Sequence, residues 1–159
     1  MKYLLLGANG MVGQNLLEHP DTSGLDLLAP SKRELDLFSY TGLLDYLKNL
    51  QPDLIINAAG RVGGIQANIK HPVKYFLENL DIGRNVVWAA KNAGIKKMIN
   101  LGSSCMYPKD VQTPLTEDLM LSGKLEPTNE GYALAKIATA KFCQYINKED
   151  NNFTYKTLI

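Results

Sequence analysis

Apolar residues along this chain fall into short runs that alternate with longer stripes of helical spacing. Lys2 to Leu6 is an apolar run that breaks off at Gly7. Met11 to His19 then carries a helical pattern that Pro20 stops. Leu25 to Ala29 reads as a short strand. Ser39 or Thr41 can cap a helix with Leu43, Leu44, Leu47 and Leu50 on one side, closed by Pro52. Asp53 to Asn57 is an apolar strand running into Ala58-Ala59-Gly60, and Arg61 to Lys70 reads as a glycine-containing loop. Pro72 fits the first position of a helix through Val73, Phe76, Leu77, Leu80, Val87 and Ala90, with Gly94 as its stop. Lys97 to Leu101 is a strand, Met106 to Thr128 is irregular, Glu130 to Asn147 is helical, and Phe153 to Ile159 is a strand. Strands that alternate with helices imply an α/β fold with a doubly wound parallel sheet. Ligands of such sheets bind beyond the carboxyl ends of the strands. Gly7, Asn57, Ser103 and Cys105 all stand at such ends.

Composition narrows the classes of function. The 159 residues suit one domain, 45% of them hydrophobic and 21% charged, as in ordinary globular proteins. A formal net charge of +1 gives no reason to expect nucleic acid or an anionic membrane as partner. No apolar run approaches the ~20 residues of a membrane span. Two cysteines, Cys105 and Cys143, form no disulfide framework, so a reducing, cytoplasmic compartment is expected. Cys143 lies in the apolar stripe of the last helix and reads as core. The chain stops in or just after a strand, which suggests a piece of a longer protein.

Two patterns carry chemistry. Gly7, Gly10 and Gly13 join the first strand to the first helix. Such a turn lets a diphosphate approach the backbone at a helix start, where free N–H groups and the helix dipole favour an anion. A merely tight strand–helix turn has the same glycines. Tyr132 and Lys136 are four residues apart on a helix and share a face. An ammonium beside a phenol lowers its pKa and suits it to proton exchange with a carbonyl oxygen. A half-buried tyrosine and a solvated lysine would also fit. Ser103, at a strand end, could bond the same oxygen or simply cap a turn.

Taken together, Gly7-Ala8-Asn9-Gly10-Met11-Val12-Gly13, Val62-Gly63-Gly64-Ile65, the stretch Gly102 to Lys109 and the stretch Leu125 to Lys136 resemble the extended short-chain dehydrogenases/reductases, an NAD-dependent epimerase/dehydratase family. Within it the chain is similar to the N-terminal part of the GDP-L-fucose synthases. The resemblance implies a Rossmann-type sheet with helices on both faces, residues 1–159 as an NADP(H)-binding domain, and an absent C-terminal substrate domain. It implies NADPH-dependent 3,5-epimerisation and 4-keto reduction of GDP-4-keto-6-deoxymannose to GDP-L-fucose. Alternatives are a GDP-colitose-type synthase, another nucleotide-sugar epimerase/reductase, and an NADP(H)-binding module without turnover. Ser103, Tyr132 and Lys136 would form the reductase triad, and Cys105 would be one acid/base at C3 and C5. A small buried hydrophobe is the usual fate of a free cysteine. Related 4,6-dehydratases carry an Asp-Glu pair where this chain has Cys105-Met106, and UDP-galactose 4-epimerases lack the cysteine.

The cofactor would rest on Gly7, Asn9, Gly10, Met11 and Val12, on Asn57, Ala58 and Ala59, and on Lys136. A ribose 2′-hydroxyl wants a carboxylate after the second strand, whereas a 2′-phosphate wants cations. Pro30-Ser31-Lys32-Arg33 follows that strand, which points to NADP(H), with Asp36 as the adenine-side acid. Lys32 and Arg33 would equally suit a solvated turn. The family's second acid/base, a histidine, would lie beyond Ile159, and His19 and His71 look structural. Gly131 stands where relatives often have proline and should loosen the helix start. The resemblance also implies a homodimer through the helices Val73 to Asn92 and Glu130 to Asn147.

Overall fold

In a computed structural model that describes residues 1–112 and 114–159, five parallel strands make one sheet. They are β1 (Lys2–Leu6), β2 (Asp26–Leu28), β3 (Leu54–Asn57), β4 (Lys97–Leu101) and β5 (Thr154–Leu158), in the order β2-β1-β3-β4-β5. The helices are α1 (Met11–Glu18), α2 (Tyr40–Leu50), α3 (Ile65–Lys70), α4 (Pro72–Asn92) and α5 (Glu130–Glu149). The chain steps from β1 out to β2, then returns past β1 to β3, so the switch point lies between β1 and β3. Right-handed crossovers place α1 on one face and α2, α4 and α5 on the other. Packing of α2 on α4 and of α4 on α5 agrees.

The register explains where the core ends and the site begins. Leu4, Ile55, Met98 and Tyr155 pair across neighbouring strands as one buried apolar row. Leu43 and Leu47 of α2 and Val86, Ala89 and Ala90 of α4 join the same cluster. Each large side chain buried here contributes about 1.5–3 kcal/mol. Two residues nearer the carboxyl ends the paired row becomes Leu6, Asn57, Asn100 and Thr157. Its amides are buried and satisfy one another. Asn57 Nδ2 donates to Asn100 Oδ1 at 2.9 Å, and Asn100 Nδ2 donates to Thr157 Oγ1 at 3.3 Å.

Several elements differ from their sequence-based expectation. The stretch expected to be a loop, Arg61 to Lys70, becomes helix α3 from Ile65 onward. Asn68 stabilises it locally, its Nδ2 donating to the carbonyls of Gly63 and Gly64. Gln51, with φ at 46°, terminates α2 before Pro52 is reached, and α5 runs on to Glu149. Strand β2 is shorter than expected, and two short 3-10 turns, Ser104–Met106 and Glu117–Leu119, interrupt the irregular stretch. Thr113 of that stretch lies outside the described residues. On α4 the buried face runs through Tyr75, Asn79, Ile82 and Val86, while Val73 and Leu77 are exposed. The apolar stripe drawn through Val73 and Leu77 was therefore displaced from the buried one, because polar Asn79 is part of the core face. Gly131 has a packing reason: a Cβ there would stand 3.3 Å from Phe76 Cβ and from the Pro72 carbonyl oxygen.

Cys143 is buried core, as its place in the helical stripe implies. Burial pushes its thiol up to about 12, against a smaller opposing effect of Thr157. From about pH 9 upward the unfolded chain releases a proton that the folded chain keeps. Stability is therefore expected to fall with rising pH, by up to about 1.4 kcal/mol per pH unit from this group. Denaturant midpoints at pH 8 and pH 10 check this. Cys143→Ala, although destabilising at neutral pH, should show a shallower alkaline decline, and an equally steep one would count against the assignment.

Candidate active site

The glycine turn is built by contacts that only glycine allows. Gly7 has φ at 84°, and a Cβ there would lie 2.6 Å from the Ala59 nitrogen and 2.7 Å from the Ala58 carbonyl carbon. A Cβ on Gly13 would overlap the Gly7 carbonyl oxygen, so α1 packs directly on the end of β1. At Gly10 only the Gly7 oxygen comes near, at 3.3 Å, and the rest of that side is open. Between this turn and the β3 end lies a cleft of about 260 Å³. Gly7, Asn9, Gly10, Lys32, Asp36, Ala58 and Ala59, all sequence candidates, line it. So do Phe38 and Arg61, which carry no glycine or charge-pair signal that would mark them beforehand. Asn9, Ser31, Lys32 and Arg33 frame an adjoining hollow. Lys32 extends over the Phe38 ring at 5.4 Å.

Other candidates stand elsewhere. Met11 and Val12 open α1 with exposed side chains and do not line the cleft. Asn57 is 2% exposed and holds the rim instead: its Oδ1 accepts from the Ala59 N–H at 3.3 Å. Asn100 and Asn79 are structural partners that sequence reasoning passed over. The common ending of Ile56-Asn57 and Ile99-Asn100 was the available signal for the first. Asn79, on α4, accepts from the Arg61 N–H at 2.8 Å and donates to the Arg61 carbonyl at 3.0 Å. Glu34 folds back so that its carboxylate accepts from the Ser31 N–H at 2.7 Å, which holds this carboxyl below its ordinary range.

A second group gathers at the ends of β4 and α5. Ser103 opens the turn Ser104–Met106, and its N–H donates to Met106 Sδ at 3.3 Å. The Cys105 thiol donates to Ser103 Oγ at 3.2 Å. Lys136 is 8% exposed, and its Nζ donates to the Leu101 carbonyl at 2.9 Å while lying 5.9 Å from the Tyr132 ring centroid. A Cβ on Gly60 would lie 3.5 Å from that Nζ, so this group borders the cleft wall. Ser103, Cys105, Tyr132 and Lys136 thus share one neighbourhood. The titration expectation needs correction. Burial pushes the Tyr132 phenol up, and negative charge on Cys105 adds to this, against Ser103. The Lys136 ammonium does not offset that rise, because it is directed at Leu101 and is itself pushed down by burial. Burial also raises the Cys105 thiol, opposed by Ser103 and the Lys136 charge.

Residues 3–159 match the model of the NAD dependent epimerase/dehydratase family. The chain belongs to that family. It is 56% identical over all 159 residues to the GDP-L-colitose synthase of Yersinia pseudotuberculosis, covering 52% of that protein. It is 44% identical over 158 residues to the GDP-L-fucose synthase of Azorhizobium caulinodans, covering 50% of it. A GDP-mannoheptose C4 reductase from Campylobacter jejuni, solved with NADP bound, superposes with a TM-score of 0.90 at 29% identity. That match covers 98% of this chain and 46% of the reductase. The chain spans about half the length of the curated relatives it matches. Among the described residues no helix is long and apolar enough to cross a membrane, and no group of three or more His, Cys, Asp and Glu could hold a metal ion.

Proposed function

We propose that the protein, at the length of its relatives, is a cytoplasmic NADPH-dependent epimerase–reductase that converts GDP-4-keto-6-deoxymannose to GDP-L-fucose. The observation that carries this reading is the Cys105 thiol hydrogen-bonded to Ser103 beside Tyr132 and Lys136. A simple reductase needs no thiol there, whereas proton exchange at ring carbons needs an acid/base beyond the tyrosine. The open side of Gly10 and the cleft between the glycine turn and β3 suit a dinucleotide. Ser31, Lys32 and Arg33 would hold the 2′-phosphate and Asp36 the adenine end. NADPH, when bound, supplies the hydride for the sugar's C4. Tyr132 gives its proton to the C4 oxygen, Ser103 hydrogen-bonds that oxygen, and Lys136 steadies the ribose. Cys105 exchanges protons at C3 and C5.

A second reading, a GDP-colitose-type synthase, is favoured by the 56% identity to such an enzyme. Incubating the relative-length protein with NADPH and GDP-4-keto-6-deoxymannose, or with its 3-deoxy counterpart, separates the two. GDP-L-fucose from the first sugar supports the main reading. Turnover of the 3-deoxy sugar alone supports the second, and NADPH oxidation with neither sinks both. The 159-residue chain by itself is expected to bind NADPH without turnover.

Cofactor choice has its own test. Lys32→Ala and Arg33→Ala should each weaken NADPH binding about 5- to 50-fold and leave NADH binding nearly unchanged, as loss of one charge-assisted contact implies. Calorimetric titration that finds equal affinity for both cofactors in the unaltered chain would refute the NADP(H) assignment. We also propose a homodimer through α4 and α5, which expose Val73, Leu77, Trp88, Leu134 and Tyr145. Sedimentation of the relative-length protein as a stable monomer would remove that proposal.

A further inference from the structure

Arg61 lines the cleft but has no part in the function proposed above. It follows Ala58-Ala59-Gly60 off the end of β3, and its backbone is fixed at two points. Asn79 Oδ1 accepts from the Arg61 N–H at 2.8 Å, and Asn79 Nδ2 donates to the Arg61 carbonyl at 3.0 Å. Asn79 is buried, so this clamp ties the cleft wall to α4. Gly60 makes room for it: a Cβ there would stand 3.0 Å from Asn79 Oδ1. The clamp uses no atom of the Arg61 side chain. That side chain is 50% exposed, and its Nε lies 3.7 Å from Glu78 Oε2, too far for a hydrogen bond. Glu78 lines the same cleft and also pairs with Lys74, at 3.9 Å. Exposed ion pairs of this kind contribute little, so the guanidinium is easily drawn to a better partner.

A dinucleotide supplies one. Its diphosphate is anionic, and the glycine turn offers it N–H groups but no cationic side chain. Among the described residues the cations lining the cleft are Lys32 and Arg61, and Lys32 stands with Ser31 and Arg33 at the hollow assigned to the 2′-phosphate. The β3 end and the glycine turn are in contact, since a Cβ on Gly7 would meet the Ala59 nitrogen at 2.6 Å. The Gly10 N–H donates to the Gly7 carbonyl at 3.0 Å, which keeps Gly10 beside that contact. Arg61 is two residues beyond Ala59, at most about 7 Å of chain. A phosphate on the open side of Gly10 therefore comes within reach of its guanidinium. We infer that Arg61 is the cation that holds the cofactor's diphosphate from the β3 side of the cleft, opposite the glycine turn. Its fork of N–H donors matches phosphate oxygens. On binding, the guanidinium exchanges Glu78 for the phosphate, and Glu78 keeps Lys74.

This assignment rests on the cofactor reading above, and the test separates the two. The 159-residue chain is titrated calorimetrically with NADPH, with NADH and with adenosine 2′-monophosphate, which lacks the diphosphate. Arg61→Gln should weaken NADPH and NADH binding alike, by about 5- to 50-fold, and leave the monophosphate unchanged. Lys32→Ala should give the crossed pattern, weakening NADPH and the monophosphate but not NADH. Arg61→Lys, which keeps the charge, should bind both cofactors within about fivefold of the parent. Because the Asn79 clamp uses backbone atoms, the thermal midpoint of Arg61→Gln should stay near the parent's, and Arg61→Met repeats the test with a second neutral side chain. Unchanged affinity for both cofactors in the two neutral variants would overturn the assignment alone, as would a loss confined to NADPH. An unaltered chain that binds neither cofactor would overturn it together with the cofactor reading.

Discussion

Gly7→Ala is expected to lower stability by about 2–4 kcal/mol. Two costs add. A side chain at φ 84° occupies the left-handed region, which costs an L-residue roughly 1–2 kcal/mol. The new methyl would also meet the Ala59 nitrogen at 2.6 Å and the Ala58 carbonyl carbon at 2.7 Å. Those atoms are backbone of the β3 end and have no flexible side chain to swing away. Relief therefore requires β1 and β3 to separate at the switch point, the wall of the cleft. Dinucleotide binding should fall at least about tenfold with the stability. Thermal unfolding checks the first part: for a domain of this size the midpoint should drop by roughly 5–15 °C. Gly24→Ala, with nothing within 4 Å of its added Cβ, should stay within about 0.5 kcal/mol of the parent. A Gly7→Ala midpoint as close to the parent as that of Gly24→Ala would refute the argument.

Lys136→Met separates chemistry from folding. Under the proposed function it should cut kcat/KM of the relative-length protein by about 10²-fold, the scale of misplacing a reactant. Stability should change little. Lys136 is 8% exposed and burial disfavours its charge, so a methionine of similar reach is well tolerated there. The loss is one hydrogen bond to the Leu101 carbonyl, about 1 kcal/mol. The pH dependence gives a second readout. Because the folded value lies below the unfolded one, the unfolded chain holds more protons as pH approaches 10.5, and the charge penalty fades with rising pH. The methionine variant should lack that alkaline gain. More than a tenth of the parental kcat/KM would rule out a central role for Lys136. A collapse in stability equal to the activity loss would make the residue structural instead.

Much of the fold was legible because it depends on local pattern. The run from Lys2 to Leu6, the prolines at 52 and 72 and Gly94 mark element boundaries through backbone chemistry that acts within a few residues. Helix α3 was missed because six residues give too short a period, and the hydrogen bonds from the Asn68 amide to the Gly63 and Gly64 carbonyls leave no mark in that period. The buried stripe of α4 was misdrawn at Val73 and Leu77 because a hydrophobic count cannot see that Asn79 belongs inside. Its amide is satisfied by the backbone of Arg61, a partner 18 positions away.

By itself the amino-acid sequence determined the order of strands and helices, the glycine turn, and the residue types at the strand ends. These follow from period, turn chemistry and side-chain identity, all local properties. Only the tertiary structure decided which candidates meet. It brought Lys32 and Asp36 to the cleft beside Gly10, and it turned Asn57 away to hold Ala59. It also aimed Lys136 at Leu101 rather than at the Tyr132 phenol, so burial, with no ammonium to offset it, raises that phenol. Protonation depends on distance and desolvation, and both are set by packing between elements far apart in the chain.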